Sequence, residues 1–129
     1  MVHFVTFSYF ASLLLLPVEK EIPKYCGYFW AGHFLYMGRC PANTEHMHYA
    51  VQIIVNREGL FRLRVDGSSF ECGGAVIGSG QPHQLFSPGN CHSWIHVLID
   101  HQTDVAKAIG KRHLGEGKVK ILDGALLKR

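Results

Sequence analysis

Two histidines one residue apart, His46 and His48, and an amide four residues further on, Gln52, are the side chains of this chain best spaced to do chemistry together. In an extended strand, residues two apart leave on the same side. A strand here therefore points His46, His48, Gln52 and Ile54 one way and Met47, Tyr49, Val51, Ile53 and Val55 the other. One row is apolar and can pack against another layer; the other puts two imidazoles and an amide into a shared space. A helix would place residues 46 and 48 on different faces, and the Val/Ile content favours a strand. A third histidine, His83, follows the glycine-rich turn Gly78-Ser79-Gly80-Gln81-Pro82.

These residues admit three readings. As a metal site, His46, His48 and His83 offer neutral imidazole nitrogens, good ligands for zinc, nickel, iron or copper, with Gln52 as a weak fourth ligand. An amide oxygen cancels none of an ion's charge, and with no carboxylate in that slot an iron site of the two-histidine-one-carboxylate type is disfavoured. As a metal-free pocket, His46, His48, Gln52 and His83 would instead exchange hydrogen bonds with a small polar ligand, alongside Arg62 or Arg64, Trp94 and His96. As plain structure, the histidines would satisfy each other or water. No serine is set up as a nucleophile, and Gly78-x-Gly80 lacks the Lys-Ser/Thr and helix of a phosphate loop, so no catalytic residue is assigned.

The elements that must position these groups are short. Phe34 to Met37 reads as a strand stopped by Gly38, and Pro41 and Asn43 lie in a turn that delivers the chain into the His46 strand, which runs to about Val55. Leu60 to Val65 alternates Phe61, Leu63 and Val65 against Leu60, Arg62 and Arg64, and Asp66-Gly67 is a strong hairpin signal. Short strands follow at residues 69–71, 75–77 and 83–86. Residues 91–99 form the longest late strand, with His92, Trp94, His96 and Leu98 on one face. The pattern then turns helical over residues 100–112, with Val105, Ala106 and Ile109 at helical spacing and Thr103 or Asp104 able to cap. Residues 119–122 form a last apolar run. Many short strands at close turn spacing argue for an all-β sandwich or barrel.

At 129 residues the chain is one domain, and 47% hydrophobic residues suffice for a real core. We divide it into an N-terminal arm with short strands (residues 1–33), a barrel (34–101), and a C-terminal helix and tail (102–129). A formal charge of +3 without a basic run gives no case for direct nucleic-acid binding. Residues 2–18 are apolar, but too short and too interrupted by His3, Thr6, Ser8, Tyr9 and Ser12 for a membrane span, and no cation precedes them as in a secretory signal. Cys26, Cys40, Cys72 and Cys91 form no CxxC pair and match no zinc-finger spacing, so reduced thiols in a cytoplasmic protein are expected. His33, His92, His101 and His113 read as surface or structural; His3 and His96 are undecided.

The order His46-x-His48-x3-Gln52-x6-Gly59, then the glycine-rich turn into Pro82-His83, resembles the two motifs of the cupin superfamily. The strings His48-Tyr49-Ala50-x-Gln52-Ile53, Phe61 to Gly67 and Pro82-His83-Gln84-Leu85 are similar, in that order, to the N-terminal sensor domain of AraC-type transcriptional regulators. The likeness spans roughly residues 34–123, and departs at Gln52, where the cupin motif has Glu, and at Gly78, where it has Pro. It implies an all-β cupin-type jelly-roll barrel with a short C-terminal helix. It also implies a small-molecule effector held in the barrel that changes helix contacts with a DNA-binding domain or a second subunit; a homodimer through the C-terminal helix is expected, with Val105 and Ile109 as candidate contacts. The chain leaves no room for that family's helix-turn-helix region, so no specific DNA binding by this chain alone is expected. A binding module is favoured over the alternative, a small metal-dependent cupin enzyme such as a dioxygenase or isomerase.

Overall fold

The computed structural model describes residues 25–38, 44–86 and 94–122. The expectations for residues 1–24, for Cys40, Cys91 and His92, and for the C-terminal tail beyond residue 122 lie outside them, as do those for the Cys26 side chain. Nine strands occur among the described residues: β1 (Tyr25–Trp30), β2 (His33–Gly38), β3 (Ala50–Asn56), β4 (Phe61–Val65), β5 (Ser68–Cys72), β6 (Gly74–Ile77), β7 (Gln84–Phe86), β8 (Trp94–Asp100) and β9 (Val119–Ile121). One helix, α1 (Asp104–Ile109), runs on into a π-helical turn, Gly110–Leu114.

All pairing is antiparallel, in a six-stranded sheet of order β1-β2-β8-β3-β6-β9 and a three-stranded sheet of order β5-β4-β7. The chain alternates between the sheets: β3 lies in the first, β4 and β5 in the second, β6 in the first, β7 in the second and β8 in the first. His46 makes an isolated antiparallel bridge to His83, which lies just before β7, so the segment between β2 and β3 touches the second sheet. Strands that pair with distant rather than successive neighbours across two layers are the signature of a double-sheet jelly roll. The fold is therefore all-β, a double-sheet jelly roll with one short helix. β1, within the stretch read from sequence as an arm, joins the same sheet as β2.

Residue alternation explains why two cores form. In β8, Trp94 faces between the sheets, while Ile95, Val97 and Ile99 face the other way. Ile54, Phe61, Leu63, Val65, Ala75, Ile77, Leu85 and Trp94 fill the space between the sheets. Leu35, Met37, Val51, Val55, Val76, Ile95, Val97 and Ile99 form the second core on the far side of the large sheet, with Ala106 and Ile109 of α1 packed into it. Each such fully buried aliphatic side chain stabilises the fold by roughly 1.5–3 kcal/mol. The outer face of the small sheet stays wet: β4 buries Phe61, Leu63 and Val65 and exposes Arg62 and Arg64. The β4–β5 hairpin closes on Asp66 and Gly67, both at positive φ (51° and 77°), the two-residue turn whose twist matches its strands.

α1 begins at Thr103, whose Oγ1 accepts from Ala106 N at 3.1 Å and donates to Asp100 O at 2.7 Å. The cap ties the helix to the end of β8. The expected dimer contacts at Val105 and Ile109 both lie on the side of the helix that packs on the large sheet. Ile109 is 7% exposed and belongs to the chain's own core, and Val105 packs half-buried against the same cluster. Among the described residues, no helix is long and apolar enough to cross a membrane.

Candidate metal centre

His46 and His48 lie not on β3, as the alternation suggested, but on the segment that crosses from the small sheet into β3, which starts only at Ala50. The reason is backbone pairing: this segment hydrogen-bonds across to the turn before β7. His46 N donates to His83 O at 3.0 Å, His83 N donates to His46 O at 2.8 Å, and Gly80 N donates to His48 O at 2.7 Å. Gly80 sits at φ +75°, a conformation open to glycine at no steric cost. Two stretches far apart in sequence are thus clamped in register, and the three rings meet. Ring centroids are 4.6 Å apart for His46 and His83, 4.8 Å for His46 and His48, and 5.7 Å for His48 and His83. One ring nitrogen from each lies within 4.8 Å of those of the other two.

The second nitrogen of two of these rings is already engaged. His46 Nδ1 donates to Thr44 O at 2.8 Å, and His83 Nδ1 donates to Gln81 O at 2.9 Å. A carbonyl at Nδ1 fixes the tautomer that leaves Nε2 as a lone-pair donor, the arrangement metal-ligating histidines use. His83 is 1% exposed, yet its Nε2 is enclosed with no hydrogen-bond partner. Leaving a buried acceptor unmade costs about 1–3 kcal/mol, which a water or a metal ion at this nitrogen would relieve. Imidazole nitrogens bind zinc at about 2.0–2.1 Å, and three ring nitrogens within 4.8 Å of one another are close enough to share one ion. The protonation chemistry agrees. Burial, and then His46, holds His48 below the ordinary histidine range. Burial holds His83 below it too, opposed by its bond to the Gln81 carbonyl and reinforced by His46 and His48. Both rings are thereby kept neutral and able to ligate.

Gln52, the expected fourth ligand, is buried in β3 and turned towards β8: its Nε2 donates to His96 Nδ1 at 3.3 Å, and its Oε1 is enclosed without a partner. His96 is the residue whose sequence signal was weakest and whose setting is most telling. Burial pushes its pKa down to about 4, and His48, His83 and His46 all add to the shift, so it lies within the electrostatic reach of the cluster. Its ring meets Tyr36 edge-on at 5.9 Å and Trp94 at 5.6 Å. Trp94 is fully buried against Phe61, with ring centroids 4.7 Å apart, and its Nε1 is enclosed without a partner.

The structure therefore brings His46, His48 and His83 together and sets Gln52 with His96 and Trp94. It does not bring Arg62, which is exposed on the outer face of β4. An apolar row of Phe61, Leu63 and Val65 inside leaves the arginines no place but outside. The carbonyls of Thr44 and Gln81 were missed from sequence, since a backbone oxygen carries no residue-type signal. Cys72 is a free, buried thiol, its pKa raised to about 11 chiefly by burial, and no Asp, Glu or Cys joins the three-histidine cluster among the described residues.

No family model matches this chain, and no curated protein matches it. Solved structures do. A Cupin 2 conserved barrel domain protein from Salinispora arenicola is 18% identical, with 77% of this chain and 97% of that chain covered and a TM-score of 0.45. A protein from Neisseria meningitidis is 20% identical, covering 64% of this chain and 89% of its own, with a TM-score of 0.46. A conserved protein of unknown function from Streptococcus pyogenes is 14% identical, covering 55% of this chain and 65% of its own, with a TM-score of 0.44.

Proposed function

We infer that this domain binds a divalent cation in its barrel through Nε2 of His46, His48 and His83 and uses it to hold a small polar molecule, which Gln52 and His96 contact. The observation that carries this reading is the buried, unpartnered Nε2 of His83, facing two further imidazoles with its own Nδ1 already tied to a carbonyl. The ion supplies positive charge and open coordination positions; the chain's residues hold, orient and enclose what binds there. In biological terms this is a ligand-sensing module of a cytoplasmic protein, as the similarity to AraC-type sensor domains suggests. Occupancy would bias the elements packed around the barrel, α1 among them.

A second reading, a metal-dependent enzyme, is favoured by one feature: three protein ligands leave positions on an ion open to substrate and water. The two separate cleanly. Elemental analysis of purified protein and of His48→Ala establishes whether a stoichiometric metal is held by the cluster. Thermal shifts across metabolites and divalent ions, with and without chelator, then identify the ligand. A metal-loaded protein that melts higher with a small molecule but leaves it chemically unchanged supports the sensor; turnover of that molecule supports the enzyme. Protein free of metal and unable to take it up from solution refutes the metal centre.

A further inference from the structure

The charge balance of this cluster points beyond a metal alone, and the inference rests on the metal reading above. Its ligands are three imidazoles, and no carboxylate or thiol joins them among the described residues. The interior position that could hold a carboxylate, Gln52, carries a neutral amide. Of the segments bearing the histidines, the only acidic side chain is Glu45, which is exposed. Asp66, which accepts from Gln81 Nε2 at 3.2 Å, sits in the exposed β4–β5 turn. A divalent ion on this cluster therefore keeps its full double charge inside the protein, where an uncompensated charge is costly and anions are strongly attracted.

The unmet hydrogen bonds nearby specify what would compensate it. Because Gln52 Nε2 donates to His96 Nδ1, the His96 proton sits on Nε2, and that N–H is enclosed with no acceptor. Trp94 Nε1–H, on the neighbouring ring, is a second enclosed donor without an acceptor. Gln52 Oε1 is the converse, an enclosed acceptor without a donor. Two orphan donors call for anionic oxygen and one orphan acceptor calls for a hydroxyl. Phe61, Leu63 and Ile54 in the same core suit a small hydrocarbon portion.

We propose that the barrel takes a metal ion together with a small hydroxycarboxylate, the carboxylate cancelling one of the ion's two charges and accepting from His96 and Trp94, the hydroxyl donating to Gln52. Metal and anion then bind cooperatively, each raising the affinity for the other by the same factor.

The test titrates Co2+ into metal-free protein in non-coordinating buffer, followed by the visible absorption of the bound ion. The additions compared are glycolate, acetate and the neutral amide glycolamide. Glycolate is expected to raise Co2+ affinity by about tenfold or more, acetate by less, and glycolamide by under about twofold. Glycolate without metal should not bind measurably. Gln52→Glu, which places a carboxylate beside His96, should bind Co2+ more tightly than the parent without any anion and lose most of the glycolate gain. Co2+ binding that is indifferent to glycolate, or equally enhanced by glycolamide, overturns this inference and leaves the metal centre standing. Failure to bind Co2+ under every condition overturns both.

Discussion

His46 and His83 exchange both of their backbone hydrogen bonds, at 3.0 and 2.8 Å, and carry their rings to 4.6 Å from each other. The main chain, not the ring chemistry, therefore sets the distance between two of the three metal-ligand candidates. The first prediction follows. His48→Ala removes one ligand and leaves this bridge intact, so the variant should fold but lose roughly a hundredfold or more in divalent-metal affinity. Its metal-free stability should stay within about 1.5 kcal/mol of the parent, because His48 is only half-buried. Competition with a chromophoric chelator measures the first quantity and urea unfolding the second. A variant that binds metal as well as the parent removes His48 from the site.

A second expectation concerns the parent protein. An ion that binds only the folded state stabilises it by about 2.7 kcal/mol at a hundredfold excess over Kd. For a domain of this size that corresponds to a rise of roughly 8–10 °C in Tm. Chelator should reverse the rise completely, and His48→Ala should abolish it. A melting curve indifferent to zinc, nickel, cobalt and iron counts against the centre.

His96 supplies a pH dependence independent of metal. Its folded pKa is about 4, pushed down chiefly by burial, against about 6.5 when unfolded. Between those values the unfolded chain binds a proton that the folded chain refuses, so stability rises with pH. The contribution is fully present above pH 6.5 and is lost as pH falls towards 4; His48 and His83, also shifted down, add to the same slope. In the presence of chelator, His96 alone should make the protein about 2 kcal/mol less stable at pH 5 than at pH 7. His96→Gln should flatten that part of the curve. Urea midpoints at the two pH values decide it, and an unchanged slope in the variant assigns the dependence elsewhere.

Much of this was legible in the residues, for identifiable reasons. Alternation of large apolar side chains marked β3, β4 and β8 and sorted Trp94 and His96 from Ile95 and Val97, because a strand buried on both faces still obeys a period of two. Asp66-Gly67 announced its hairpin because few residue pairs accept two positive φ values in succession. The start of β3 was misplaced because period alone does not report which strand a segment pairs with. Residues 44–49 look like β3 extended backwards but pair instead with the turn before β7. The same tertiary fact makes the site: if His46 and His48 were on β3, they would stand in line with Gln52 rather than gather around His83. The partnership of Gln52 with His96 spans two strands, and nothing local encodes it.

Helix α1 forms where its residue pattern placed it, and that pattern admits two uses. Val105, Ala106 and Ile109 share a stripe, and such a stripe can face either a second subunit or the chain's own sheet. Here Ala106 and Ile109 are buried against the large sheet, and Thr103 locks the helix start by accepting from Ala106 N and donating to Asp100 O. Two substitutions test that assignment together. Thr103→Ala should cost about 1 kcal/mol through the lost cap, with Thr103→Ser retaining most of it. Ile109→Ala should cost about 2–4 kcal/mol, as removal of a buried aliphatic side chain does, with no dependence on protein concentration. If Ile109 instead contributed to a dimer, the loss would shrink with dilution as the parent itself dissociated. Urea unfolding of both variants over a hundredfold range of protein concentration, with sedimentation velocity alongside, distinguishes a helix that completes its own barrel from one that holds a partner.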